Sequence, residues 1–546
     1  MTSVATAPEA RASWVPMIGL FLAQILMSYN VSALPVTLGG MVDDFGVPPT
    51  DVSTAIVTYG LVVAALVMVG AKIGQRIGWI IVFRVVVGLF GLSAVMMIFA
   101  PTVGWVIAAQ GLAGASAAII VPSLVALIAE NYRGAQQATA IGSLGSARAL
   151  AGVSAFLIGG TLATLVGWRQ VFVVVLILAI AVFVLSFRLR SDRGNPDIKI
   201  DVVAAVLIGV GIVSLTFGVN NLNSWGLLQA GPGAPFDIGG LSPAPLLIVV
   251  GLVFVQLFFL WTRRRIKANR TPLVSLSVFG SSRERAAVYA MFIVVFMEAA
   301  LNFTVPLYIQ IVQGRTPFDT SLAMLPFNLT VFVTATLVVR FYKTFAPRTI
   351  GMFSFGLTTI ALVWLSFVVT NNWETLPTIL GLVVFGIGQG ALVTLVFNVL
   401  VTASPKELAG DVGSVRGTTQ NLASAVGTAV AGALLVGILT VNVMSALADD
   451  VDLPPSLTAQ VDLDNTNFVS NDRLEEVLAE TDATPEQIDA AVALNETARL
   501  SALRTGLLVL AGVSLLAVLP ASRLPRYRPE EIPESVATGT STESRE

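Results

Sequence analysis

Long apolar runs alternate with short polar connections along almost the whole chain. A helix needs about 20 residues to cross a hydrocarbon core about 30 Å thick, and each of these runs is close to that length or longer. The pattern therefore predicts an all-α membrane protein. Fourteen spanning segments are predicted, near residues 13–36, 50–70, 79–101, 103–129, 137–165, 168–187, 201–219, 245–262, 286–313, 318–341, 349–370, 375–402, 409–441 and 501–521.

The basic residues divide the connections into two sets. Every second connection is basic, as in the stretches 188–199 and 263–270, whereas the other set is mostly acidic or uncharged and holds Asp43, Asp44 and Asp237. Cytoplasmic loops of membrane proteins are enriched in Lys and Arg. Because the alternation holds over all fourteen spans, the sequence predicts a multi-pass protein of the plasma membrane with both termini in the cytoplasm.

The spans form two blocks of six, separated by an additional pair. This order predicts an N-terminal six-helix bundle at 1–190, a linker with two additional transmembrane helices at 191–285, and a C-terminal six-helix bundle at 286–522. Residues 523–546 are predicted to form a disordered cytoplasmic tail, because they are rich in Glu, Ser and Thr. Two related helical halves around a central pathway are typical of secondary transporters.

One long hydrophilic insertion interrupts the second block, at residues 444–500. Its many Asp and Glu residues outnumber Arg473 and Arg499. The charge pattern predicts that it lies on the external side of the membrane. It is either a solvated acidic loop or an element that draws cations toward the entrance of the pathway.

Composition removes several classes of function. Hydrophobic residues make up 55% of the 546 positions and charged residues 12%, about half the charged fraction of a soluble domain, so a soluble enzyme is excluded. The chain has no Cys and no His, so proton-coupled chemistry must use carboxylates. No phosphate-binding loop, cofactor motif or metal-ligand pattern occurs, and no nucleic-acid partner is indicated.

Several short strings resemble the fourteen-spanner drug:proton antiporter family of the major facilitator superfamily. The strings are Val305 to Gln310 with Val312, Gln313, Gly314, Pro317, Leu325 and Pro326; Gln110 and Gly111; Val121 to Leu124; Gly167 to Arg169 with Phe172; Gly386, Gly388 and Gly390; and Arg416 with Gln420 and Gly427. The resemblance covers nearly the whole chain. It implies alternating access between two six-helix bundles and efflux of small organic or amphipathic compounds, coupled to an ion gradient, with the proton as the coupling ion.

The family's loop between the second and third helices corresponds to residues 71–80. The resemblance assigns Lys72, Arg76 and Gly78 to a cytoplasmic gate. Gln75 stands where the family has an acid, so the usual charge clamp lacks its carboxylate here.

Other departures concern the residues to which the family's proton coupling is ascribed. The family's arginine in the fourth helix falls at Ile107, and its aspartate in the first helix falls at Leu26. In the fifth helix Ala155 and Phe156 precede the glycine pair, where the family has Gly-Pro. The usual coupling residues are therefore missing.

Ionisable residues deep in a span are costly and point to a pathway or a partner. Glu298 lies 13 residues beyond Arg285, which is roughly 20 Å along a helix and close to the midplane. It is the predicted proton-coupling residue, although a carboxyl that only locks two helices together is the alternative. Arg148 lies among small residues and either reaches a cavity or caps a network at the inner end. Arg416 lies near the start of its span, where a structural role as a snorkelling side chain is favoured.

Polar uncharged residues at depth complete the predicted pathway: Tyr29, Asn30, Gln110, Asn302, Tyr308, Asn328, Gln389 and Asn398. Asn302 follows Glu298 by four residues and shares its helix face. Each of these residues could equally hold helices together by hydrogen bonds.

Three functions remain open at this point. The first is ion-coupled efflux of small organic compounds across the lipid bilayer. The second is a metabolite-specific uniporter or exporter without the usual proton coupling, because the motif acids are missing. The third is a membrane receptor or scaffold that transports nothing and uses the acidic insertion for binding.

Overall fold

The computed structural model describes residues 13–132, 134–189, 194–226, 228–231, 233–237, 239–276, 282–341, 344–402, 409–449, 475–476, 479 and 484–526. Seventeen α-helices are described in these residues: α1 Val15–Val36, α2 Leu38–Phe45, α3 Pro49–Ile77, α4 Trp79–Ile98, α5 Val103–Asn131, α6 Gly134–Ser154, α7 Gly160–Leu165, α8 Trp168–Leu185, α9 Val202–Asn220, α10 Leu222–Trp225, α11 Pro243–Lys267, α12 Ser282–Leu307, α13 Pro317–Phe341, α14 Pro347–Val368, α15 Leu376–Thr402, α16 Ala409–Asp449 and α17 Pro485–Ala521. The fold is all-helical, as predicted.

Each predicted span coincides with a helix. Thirteen helical segments in the described residues are long and apolar enough to cross a membrane. Helix α16 is not among those thirteen, but it occupies the predicted segment 409–441, and its crossing stays a prediction. Of the acidic insertion, 444–449 continue α16 and 485–500 begin α17, whereas 450–474 and the tail from 527 onward lie outside the described residues.

Local sequence features explain where several helices begin. Thr102 precedes α5, and its side chain accepts a hydrogen bond from Trp105 N. Thr484 and Gln487 form a reciprocal capping box at the start of α17. These contacts satisfy backbone N–H groups that the first helical turn leaves without partners.

Two π-helical turns extend long helices near one end of the molecule. Ala155–Gly159 joins α6 to α7, and Tyr308–Val312 continues α12. Such turns widen a helix locally and are frequent at functional sites. We call the end that carries these turns the outer end and the opposite end, at the last turns of α3, the inner end, following the predicted topology.

The two six-helix halves meet along several helix pairs. Helix α3 of the first half packs on α16 of the second, and α6 with its π turn packs on α13. Helices α1 and α12 also touch. Because each of these pairs combines one helix from each half, the space between them lies on the boundary between the halves.

The additional helices α9 and α11 pack against each other outside this arrangement. Gly218 makes their contact close, since a Cβ there would lie 2.7 Å from Ala244 O. Helix α9 also packs on α3 and α16, so it touches both halves. Buried Asp201 caps α9 and pairs with Arg265 of α11, with 3.1 Å between Asp201 Oδ2 and Arg265 Nε.

Candidate functional site

A cavity of about 150 Å³ lies between the two halves. Six helices contribute most of its wall, three from the first half (α1, α3 and α6) and three from the second (α12, α13 and α16). Its polar lining residues are Gln24, Ser28, Ser32, Tyr59, Arg148, Glu298, Asn302, Asn328, Arg416, Gln420, Asn421, Ser424 and Thr428. Polar side chains from both halves therefore converge on one cavity.

Arg148 and Glu298 form an ion pair across this cavity. The Nη2 atom of Arg148 donates a hydrogen bond of 2.8 Å to Oε2 of Glu298, joining α6 to α12. The two side chains are 24% and 20% exposed, so both remain open to the cavity. Arg148 thus reaches the cavity and does not cap an inner-end network. One carboxylate and one guanidinium thus join the two halves.

Helical spacing brings the lining residues of α1 and α12 to the cavity. On α1 the lining positions are 24, 27, 28, 31, 32 and 35, and on α12 they are 295, 298, 299, 302 and 303. Both sets follow the i, i+3, i+4, i+7 spacing of one helix face. The predicted pairing of Glu298 with Asn302 on one face is therefore observed.

Arg416 lies deep in the wall of the cavity. Its side chain is only 6% exposed, and the guanidinium carbon lies 3.8 Å from the centre of the Phe397 ring. The Nε atom has no hydrogen-bond partner. The expectation that Arg416 snorkels to the cytoplasmic face is wrong, because its side chain is buried in the wall of the cavity.

Three amides predicted for the pathway lie at the cavity or beside it. Asn302 and Asn328 line the cavity, and the buried Oδ1 of Asn302 has no hydrogen-bond partner. Asn398 lines a smaller adjoining pocket, which Arg148 and Arg416 also line. These amides can present hydrogen-bonding groups to a molecule held in the cavity.

Other predicted pathway residues do not line the cavity. Asn30 donates a 2.9 Å hydrogen bond from Nδ2 to Oε1 of Gln110, and both side chains are buried within the first half. Tyr29 is buried beside Gly159. Gln389 is buried in α15, with neither amide atom hydrogen-bonded. These residues lie on helix faces turned away from the cavity.

Tyr308 belongs to the outer end of the second half. Its hydroxyl donates a 2.6 Å hydrogen bond to Oδ1 of Asn371, and its ring packs against Trp373. Asn371 also hydrogen-bonds to Glu496 of α17. Tyr308 therefore ties helices of one half together and does not line the cavity.

Gln310 forms one of the outer contacts between the halves, beside a 3.1 Å hydrogen bond from Phe318 N to Thr164 Oγ1. Its Nε2 donates a 3.1 Å hydrogen bond to Pro35 O, and its Oε1 accepts a 2.9 Å hydrogen bond from Gly39 N. Gly39 permits this approach, because a Cβ there would lie 2.9 Å from the same oxygen. A neutral amide thus joins the π turn after α12 to the end of α1 and the start of α2.

Two acids of α2 lie near this outer contact. Asp44 Oδ2 forms an ion pair of 2.8 Å with Arg169 Nη1. Partial burial raises the pKa of its neighbour Asp43, because desolvation disfavours the charged carboxylate. Asp43 therefore takes up a proton at a higher pH than an exposed aspartate does.

Lys72 forms an ion pair between the halves at the inner end. Its Nζ lies 3.4 Å from Oδ1 of Asp411 at the start of α16, and 3.3 Å from Oε1 of Gln75. Asp411 Oδ2 also accepts a 2.9 Å hydrogen bond from Ser275 N. Lys72 is therefore paired with a carboxylate of the opposite half and hydrogen-bonded to the amide of Gln75.

The other two predicted gate residues take different positions. Gly78 follows α3 with a φ of 110°, a conformation that favours glycine. The side chain of Arg76 is exposed. Neither residue takes part in the contact between Lys72 and Asp411.

Sequence reasoning missed several of these residues. Asp411 and Lys72 are 339 positions apart, so no local pattern connects them. Gln310 lies inside a string that carries the resemblance, but nothing in that string identifies its partners, Pro35 and Gly39. Gln24, Ser28 and Ser32 form a polar stripe at four-residue spacing, and this signal could have been found.

Within the described residues, no group of three or more Asp, Glu, His or Cys side chains could hold a metal ion. The cavity combines one acid, two arginines and several amides with apolar side chains such as Met27, Phe156 and Phe303. Its lining therefore offers both charged and apolar surfaces.

Two helical halves around a shared polar cavity are typical of a membrane transporter. The family model for the Major Facilitator Superfamily matches residues 20–428. The chain therefore belongs to the major facilitator superfamily of secondary transporters, which are not enzymes, and it is a multi-pass membrane protein.

Curated relatives match most of the chain at low identity. The multidrug efflux pump LfrA of Mycolicibacterium smegmatis is 25% identical over 82% of this chain and 84% of its own length. A probable actinorhodin transporter of Streptomyces coelicolor is 26% identical over 82% of this chain and 76% of its own. The multidrug resistance protein Stp of Mycobacterium tuberculosis is 23% identical over 84% of this chain and 82% of its own.

Solved structures share the fold. The human organic anion transporter MFSD10 (TETRAN) aligns with a TM-score of 0.55 at 12% identity, covering 94% of this chain and 100% of that one. A bacterial homologue of the human lysosomal transporter Spinster, in an inward-facing and occupied conformation, aligns with a TM-score of 0.56 at 15% identity and covers 94% and 98%.

Proposed function

We propose that the chain is a proton-coupled exporter of small amphipathic organic compounds, of the fourteen-spanner drug:proton antiporter type. It works by alternating access in the plasma membrane, with both termini in the cytoplasm and the acidic insertion outside. The observation that carries the proposal is the ion pair between Arg148 and Glu298, which joins the two halves inside the shared cavity.

Glu298 is the proton carrier in this proposal. The charged and titratable groups that line the cavity with it are Arg148 of α6, Arg416 of α16 and Tyr59 of α3. A nearby guanidinium favours the ionised carboxylate, and burial favours the neutral carboxyl. Protonation removes the charge that attracts Arg148, so the contact between the halves weakens when a proton binds.

Alternating access follows from this weakening. With Glu298 ionised, the hydrogen-bonded ion pair holds α6 against α12. With Glu298 protonated, the halves are free to change their tilt, and a later release of the proton restores the pair. A ligand that interacts with the same groups shifts this equilibrium by its differential affinity for the two states.

The relatives support the substrate class. Proteins named for multidrug efflux and multidrug resistance match four fifths of this chain. A cavity that combines apolar side chains with a few polar groups suits organic molecules. Met27 supplies a flexible apolar side chain to the cavity, and Phe303 supplies an aromatic one.

The test uses the purified chain in proteoliposomes with a panel of fluorescent amphipathic dyes. An imposed pH gradient is expected to drive dye accumulation in the unaltered chain and not in Glu298→Gln. Asp319→Asn serves as the matched control, because Asp319 hydrogen-bonds to Thr316 within the second half and does not line the cavity. Equal pH-driven accumulation in Glu298→Gln contradicts the proposal.

A uniporter is the second candidate, favoured by the apolar residues at Leu26 and Ile107, where the family carries coupling residues. It predicts dye equilibration without a gradient, unchanged in Glu298→Gln. The same flux assay therefore separates the two candidates.

A further inference from the structure

The two arginines of the central cavity have different surroundings. Arg148 is paired with Glu298, whereas none of the ion pairs found among the described residues includes Arg416. Two guanidiniums against one carboxylate leave this cavity with a net charge of +1 while Glu298 is ionised. A buried charge without a partner is costly, so the site favours a ligand that supplies the missing negative charge.

The position of Arg416 fits such a ligand. Its side chain is more than nine-tenths buried, and Nε has no hydrogen-bond partner. It lines both the central cavity and the adjoining pocket. The guanidinium carbon lies 3.8 Å from the centre of the Phe397 ring, which packs against it. A planar guanidinium matches the two oxygens of a carboxylate or sulfonate.

Neighbouring groups complete the site. Gln420 follows Arg416 by one helical turn and lines both pockets. Apolar and aromatic side chains line the rest of the central cavity, among them Phe156, Phe303 and Phe327. A ligand with its anionic group at Arg416 therefore has an apolar wall for its body.

We propose that Arg416 is the anchor for an acidic group of the substrate, so that the cavity takes amphipathic organic anions. The inference deepens the proposed function, on which it rests, by naming the substrate class. Export then moves an organic anion, and Glu298 stays available for the proton, because the anion binds the guanidinium that Glu298 does not occupy.

Binding by the full-length chain in detergent tests this assignment. Two probes with the same ring, 1-naphthoate and 1-naphthyltrimethylammonium, differ in the sign of their charge. Isothermal titration calorimetry is expected to give naphthoate an affinity about 10-fold or more higher than the cation, as for one hydrogen-bonded charge pair. Equal affinities, or a preference for the cation, overturn the proposal without any substitution.

Variants assign the preference to one side chain. Arg416→Gln is expected to bind naphthoate about 10-fold more weakly. Its affinity for the cationic probe is expected to stay the same or to rise. Arg416→Lys keeps the charge and is expected to recover part of the loss. The matched control is Arg84→Gln, because Arg84 contacts Ser186 and Phe187 outside the cavity. An unchanged naphthoate affinity in Arg416→Gln overturns the proposal.

Glu298→Gln separates this inference from the proposed function. Removing the carboxylate leaves two guanidiniums in the cavity, so naphthoate is expected to bind at least as tightly as in the unaltered chain, while pH-driven flux is lost. Anion binding that depends on Arg416 without any pH-driven flux refutes the proton-coupled exporter and keeps the anion site. Flux of cationic dyes only, with no naphthoate binding, refutes the anion site and keeps the exporter.

Discussion

The outer and inner contacts between the halves use different chemistry. At the outer end, the neutral amide of Gln310 makes two hydrogen bonds to the backbone of the first half, at Pro35 and Gly39. At the inner end, the contact is the ion pair between Lys72 and Asp411. The strength of the outer hydrogen bonds depends on geometry alone, whereas the strength of the inner ion pair also depends on ionisation and on the salt concentration. The two ends of the cavity can therefore respond to different conditions.

The absence of cysteine makes this comparison measurable. Ser32 lines the cavity, and Ser32→Cys places a single thiol there without any background thiol. A membrane-impermeant maleimide applied from either side then reports which end is open. All variants below carry this cysteine.

The largest effect is expected from Gln310→Ala. It removes two hydrogen bonds between the halves, each with a net value of about 0.5–1.5 kcal/mol, so labelling from the outer side is expected to rise by about 10-fold. Gln313→Ala is the matched control, because Gln313 hydrogen-bonds to Asn371 within the second half. Unchanged outer labelling in Gln310→Ala would show that this contact does not hold the outer end closed.

A smaller effect is expected from Asp411→Asn at the inner end. It removes the charge that attracts Lys72 but keeps an amide oxygen that can still accept hydrogen bonds from Lys72 Nζ and Ser275 N. Inner labelling is therefore expected to rise by about 3- to 5-fold, or about 1 kcal/mol. The exchange of the two residues, Lys72→Asp with Asp411→Lys, is expected to restore part of the closure. A rise of the same size in inner labelling of Asp319→Asn would show that the effect does not come from the ion pair between Lys72 and Asp411.

The smallest effect is expected from salt on the chain without gate substitutions. The Debye length falls from about 10 Å at 0.1 M to about 3 Å at 1 M, which weakens the inner ion pair. Inner labelling is expected to rise by less than about 3-fold over this range, because the pair is partly buried. Outer labelling is expected to stay constant, and Asp411→Asn is expected to lose the salt dependence. An equal rise in labelling from the outer side would contradict the claim that only the inner contact depends on charge.

The hydrophobic pattern predicted the helices well, because crossing a membrane imposes a length and a composition that can be read locally. Every predicted span lies on a helix. The common face of Glu298 and Asn302 also followed from helix geometry.

The pattern predicted the cavity less well. The first span is apolar on most sides, so a polar residue in it does not reveal which face meets the cavity. Tyr29 and Asn30 were predicted to line it, yet the lining face is the stripe of Gln24, Ser28 and Ser32. Contacts between distant segments, such as Lys72 with Asp411, depend on how the halves pack and leave no local trace.

Proton movement driven by substrate tests the central role of Glu298 most directly. Proteoliposomes loaded with a pH-sensitive dye and a transported amphipathic compound are diluted into substrate-free buffer of the same pH. The account predicts that substrate leaving through the protein drives protons inward in the unaltered chain and in Asp319→Asn, and that Glu298→Gln moves substrate without protons or moves neither. Proton movement of undiminished size in Glu298→Gln would contradict the account.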